Sequence, residues 1–75
     1  MSRLPDVSGA ELVKALQKAG FVILRQKGSH VAMEKVDLGV VWRTIIPMHR
    51  QIARGTLHDI LKQMGLTRDE LRRLL

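Results

Sequence analysis

Two turn signals, Lys27-Gly28-Ser29 and Asp37-Leu38-Gly39, constrain this chain more than anything else in it. They cut the stretch from Phe21 to Pro47 into three short runs. The first, Phe21-Val22-Ile23-Leu24, is apolar and rich in β-formers. It continues through Arg25 and Gln26 and reads as a buried strand. The second, His30 to Val36, alternates, with His30, Ala32 and Glu34 on one side and Val31, Met33 and Lys35 on the other. The third runs from Val40 to Ile46 and is ended by Pro47. A parallel pair needs a crossover of roughly a dozen residues, and these turns leave no room for one. The three runs therefore predict an antiparallel meander.

Helical patterns flank the meander. Ser8-Gly9-Ala10-Glu11 has capping-box spacing, and Leu12, Val13, Leu16 and Ala19 follow on one face. Gly20 is suited to the stop. Thr56 is expected to open a second helix with Leu57, Ile60, Leu61 and Met64 on its apolar stripe, closed by Gly65. Thr67-Arg68-Asp69-Glu70 repeats the capping-box pattern before Leu71, Leu74 and Leu75. The expected fold is α+β, in the order α-β-β-β-α with a three-stranded antiparallel sheet and a short C-terminal helix. At 75 residues the chain is expected to form one domain over residues 1–75.

Such a sheet buries one face under helices and leaves the other wet. The His30, Ala32 and Glu34 side is the more polar and is expected to be open. Trp42 and Ile46 suit the core, which places Arg43 on the open face. Charge follows the same division. Residues 25–54 carry Arg25, Lys27, Lys35, Arg43, Arg50 and Arg54 against Glu34 and Asp37, a net +4 of the chain's +6. The middle of the chain is thus built to meet an anion.

With no cysteine, thiolate chemistry and disulfides are excluded. Length and missing motifs exclude P-loop nucleotidases and Rossmann dehydrogenases. No apolar run approaches the roughly 18 residues of a membrane span, and no signal-peptide core opens the chain. A cytoplasmic location is expected. The histidines His30, His49 and His58 lack metal-ligand spacing and the carboxylates do not cluster, so no metal or other cofactor is expected. One Trp and one Phe make no stacking platform for bases. His58 falls off its helix's apolar stripe and reads as a solvated residue. His30 follows Lys27, Gly28 and Ser29, which offer charge, close backbone approach and a hydroxyl. An imidazole there can move a proton near neutral pH, and beside a phosphodiester that suits cleavage by an RNA 2′-hydroxyl.

The order of these pieces resembles a known family. Ser8-Gly9-x-Glu11-Leu12, Gly20-Phe21, Arg25-Gln26-Lys27-Gly28-Ser29-His30, Arg43-Thr44-Ile45-Ile46-Pro47-Met48-His49, Gly55-Thr56-Leu57 and Gly65-Leu66-Thr67 are similar to HicA (YcfA-like) toxins, across almost the whole chain. The resemblance implies a double-stranded-RNA-binding-domain-like fold and an mRNA interferase, the toxin of a type II toxin–antitoxin pair. It implies a HicB-type antitoxin as protein partner and His30 as the catalytic histidine. Arg25, Lys27, Gly28, Ser29, Lys35 and Arg43 are the expected RNA-binding residues, and His49 is an auxiliary candidate. Two other functions compete: a non-catalytic RNA-binding module, and an inactive toxin remnant that only binds its partner protein. His30 discriminates, since a pure binder gains little from an imidazole there.

Overall fold

Residues 3–75 are described by a computed structural model. Helix α1, Gly9–Lys18, starts where Ser8 accepts a hydrogen bond from the Glu11 amide and Glu11 accepts one from the Ser8 amide. Both first-turn donors are satisfied reciprocally, as the spacing predicts. Leu12, Val13, Ala15 and Leu16 face inward. After the turn at Gly20 come β1 (Val22–Lys27), β2 (His30–Asp37) and β3 (Val40–Pro47), then α2 (Arg54–Met64) and α3 (Arg68–Leu74). The sheet order is β1-β2-β3 and both pairs are antiparallel. This is the expected α-β-β-β-α layout with its terminal helix.

Helices cover one face of the sheet. Val31 and Met33 from β2 and Thr44 and Ile46 from β3 are buried beneath them, together with Leu12, Leu16, Leu57 and Leu71. His30, Ala32, Arg43 and Ile45 alternate onto the opposite face, as the polarity of the strands predicts. Thr44 is the one polar residue buried among the described residues. Its hydroxyl hydrogen-bonds the Gln63 side-chain oxygen at 2.7 Å, which offsets the desolvation.

Two expectations are corrected. Strand β1 is exposed along its whole length rather than buried. It lies at the sheet edge while α1 and α2 pack over β3, so half of Val22, Ile23 and Leu24 stays in water. Its pairing also shifts register between Ile23 and Arg25. Helix α2 begins at Arg54, two residues before Thr56, from an Ala53 that makes no side-chain cap. Ile52 is buried just upstream, and its amide donates to the Val7 carbonyl at 2.9 Å. That anchor, rather than a cap, fixes where α2 starts.

Candidate active site

The β1–β2 hairpin turns on two residues, Gly28 and Ser29, between the paired Lys27 and His30. Gly28 has φ +59, and open space surrounds the position a Cβ would take. Backbone conformation, not crowding, therefore demands glycine here. A positive φ followed by a negative one is the pattern of a type II′ turn, whose twist matches the strands it joins. His30 then opens β2, with Lys27 across it on β1 and Pro47 across it on β3.

The turn is anchored from behind. The Met48 amide donates to the Ser29 carbonyl at 2.7 Å, and the Gly9 amide donates to the His49 carbonyl at 2.9 Å. A Cβ on Gly9 would sit 2.4 Å from the Pro47 oxygen and 2.7 Å from the Met48 Cα. The start of α1 thus presses directly on the exit of β3, which in turn holds the turn before His30.

On the open face, Arg25, Lys27, His30, Ala32 and Ile45 line a pocket of about 220 Å³. Two cations and an imidazole surround a small apolar floor. That combination suits a phosphodiester: the cations meet its non-bridging oxygens, and the imidazole accepts or gives a proton. Arg43 shares the face but stands further along it, in the row where it pairs with Glu34. Its Nε donates to the Glu34 Oε2 at 2.5 Å. A larger groove of about 890 Å³ runs beside α2, with Thr44, Asp59 and Gln63 among its lining residues; it does not include His30.

Lys35 stands apart from the cluster. Its ammonium donates to the Ala19 carbonyl at 2.7 Å and lies 5.7 Å from the Phe21 ring centroid. There it complements the negative end of α1. Strand alternation, which separates Lys35 from Glu34, is the reason. His49 is exposed two residues beyond Pro47 and uses its carbonyl to hold Gly9. His58 is exposed on α2.

Residues 9–66 match the family model described as the HicA toxin of bacterial toxin–antitoxin systems. The chain belongs to the HicA toxin family. No match was found among curated proteins or among solved structures. HicA membership makes this chain a toxin of a toxin–antitoxin system, and no helix among its described residues is long and apolar enough to cross a membrane. Two residues of this HicA chain have structural roles that the sequence does not signal. Glu34 is recognisable only from its register with Arg43. Gly9 sits in a capping box that tolerates other residues, and its close contact with Pro47 and Met48 is purely tertiary.

Proposed function

We propose that this toxin is a metal-independent endoribonuclease that cleaves mRNA at the pocket around His30. One observation carries the reading: His30 shares a small open-face pocket with Arg25 and Lys27. In this reaction His30 takes the proton from a ribose 2′-hydroxyl. The 2′-oxygen bonds to the adjacent phosphorus, and the bond to the 5′-oxygen breaks with its electron pair. A proton delivered to that oxygen completes the step, giving a 2′,3′-cyclic phosphate and a 5′-hydroxyl. Arg25 and Lys27 stabilise charge on the non-bridging oxygens as it develops. The proton chemistry is assigned to His30, the imidazole of this pocket. The second proton-transfer group is left to His49 or a lysine. The partner is a HicB-type antitoxin that covers the open face and His30 until it is removed.

The test is cleavage of RNA by wild type and His30→Ala in EDTA, with the fragment ends read by mass spectrometry. Loss of general base catalysis lowers the rate by a factor of roughly 100 to 10,000. The variant is expected to melt as wild type does, because His30 is exposed. Fragments with 5′-phosphate ends, or a folded His30→Ala protein of undiminished activity, overturn the reading.

A further inference from the structure

The Glu34–Arg43 pair lies outside the His30 pocket and outside the reaction just described. Arg43 is held through one edge of its guanidinium. Glu34, whose side chain is only 18% exposed, accepts from Nε alone. No other partner for the guanidinium is found among the described residues. The Arg43 side chain is 70% exposed, so its two terminal nitrogens face solvent with their donors unused. A guanidinium held by Nε presents the opposite edge as a fixed fork, the geometry that grips a phosphate through two parallel hydrogen bonds.

The register sets the distance. His30 pairs with Pro47, Ala32 with Ile45 and Glu34 with Arg43. Four residues along β2 separate the His30 row from the Glu34 row, about 13 Å of strand. A single phosphodiester cannot occupy both places. The geometry points to Arg43 as the contact for a flanking phosphate of the RNA strand whose scissile phosphate lies at His30, with Glu34 as the residue that positions it. The inference rests on the function proposed above. It adds that the site spans several nucleotides, and that a carboxylate on a basic surface strengthens RNA binding rather than opposing it.

The sign of the Glu34 effect separates this from the simpler alternative, in which the carboxylate merely masks Arg43 and repels RNA. The probe is a 2′-O-methyl RNA hexanucleotide, which cannot be cleaved, so binding is read independently of catalysis. Arg43→Ala is expected to weaken binding about tenfold, the size of one charge-assisted hydrogen-bonded contact. It is expected to reduce the slope of log K against log salt by about 0.7, the value for one phosphate of a single strand. Glu34→Ala is expected to weaken binding several-fold, and Glu34→Gln, which still accepts from Nε, to restore most of it. Melting temperatures of the three variants should stay close to wild type, since an ion pair whose arginine is 70% exposed contributes little stability. With unmodified RNA, Arg43→Ala should raise KM for a hexanucleotide by a larger factor than for a dinucleotide, which has one phosphate. Tighter or unaltered binding by Glu34→Ala overturns the positioning role. An Arg43→Ala protein that binds like wild type, or a wild type that does not bind the hexanucleotide, overturns the flanking site. Normal binding with the expected variant effects but no cleavage by wild type leaves the clamp standing and removes the nuclease reading instead.

Discussion

The two hairpin turns at opposite ends of β2 are built to the same length and held in opposite ways. Gly28-Ser29 is tied by its carbonyl to Met48, and the adjacent His49 is tied to Gly9 at the start of α1. Leu38-Gly39 projects into solvent, with Leu38 97% exposed. Both its residues have positive φ, +50 for Leu38 and +80 for Gly39. That is the type I′ pattern, which favours asparagine or glycine where this chain places leucine. Val36, Val40 and Val41 beside it are also about half exposed or more. The supported turn carries the histidine and the cations. The unsupported one carries strain and exposed apolar surface. Placing a proton-transferring side chain within a few tenths of an ångström of its target needs rigid backing, and in this small protein α1 supplies that backing at one end only.

The comparison breaks most severely at Gly9. A Cβ there meets backbone atoms at 2.4 and 2.7 Å, and neither the Pro47 carbonyl nor the Met48 Cα can swing aside as a side chain does. Gly9→Ala is expected to cost about 3 kcal/mol, the upper range for overpacking. At roughly 4–8 °C per kcal/mol for a domain this size, the melting temperature should fall by more than 10 °C. Because the displaced atoms lead into the Ser29 hydrogen bond, RNA cleavage by the surviving folded fraction should fall as well. Thermal denaturation together with single-turnover cleavage checks both. A Gly9→Ala protein with unchanged melting and activity would show that α1 does not brace the turn.

Acid sharpens the same contrast. The Ser8 amide and hydroxyl hydrogen-bond Glu11 and hold its carboxyl below the ordinary value of 4.5. The Thr67 amide and hydroxyl do the same for Glu70 at the start of α3. Both carboxylates have lower pKa values folded than unfolded. Their contribution is therefore complete above about pH 4.5 and is lost as pH falls through the lowered folded values. Glu11→Gln is expected to be less stable than wild type at pH 7, with the difference narrowing toward pH 3. Urea midpoints across that range measure it. The protection of the Gly9 amide, one residue from the cap, relative to its intrinsic exchange rate should fall on the same acid limb, while that of Leu38 should not follow it.

Local grammar made most of this fold legible. Two capping boxes, two turns and the alternation of β2 are each decided by neighbours a few residues apart, and each stands where the pattern puts it. Alternation likewise placed Arg43 on the face of His30. Position within the sheet was not legible. An apolar strand such as Val22-Ile23-Leu24 reads as buried unless it is known to lie at an edge beyond the helices' reach. Alternation puts Lys35 on the side of Val31 and Met33, but no short window shows that the Ala19 carbonyl takes up its ammonium. The start of α2 was misplaced because the buried Ile52, rather than a capping side chain, fixes it. At the candidate site, the pocket cations follow from the turn motif, whereas the Glu34–Arg43 pairing depends on a register that no short window contains.

The smallest expected effect lies at the unsupported turn. An L-residue in the left-handed region carries a penalty of roughly 1–2 kcal/mol, which asparagine lowers by local hydrogen bonding. Leu38 contributes no burial to set against that penalty, since its side chain is almost wholly in water. Leu38→Asn is therefore expected to stabilise the protein by about 0.5–1 kcal/mol, because it replaces strain without removing a packed contact. It should leave RNA cleavage unchanged, since β2 runs its whole length between Leu38 and the His30 pocket. Denaturant midpoints and cleavage rates measured side by side test both parts. Loss of stability in Leu38→Asn would mean that the leucine makes a contact in solution, and a change in cleavage would mean that the two ends of β2 are coupled. Stabilisation without a change in rate would locate the rigidity that matters to the site at the Gly28-Ser29 turn and its anchors on α1 and β3.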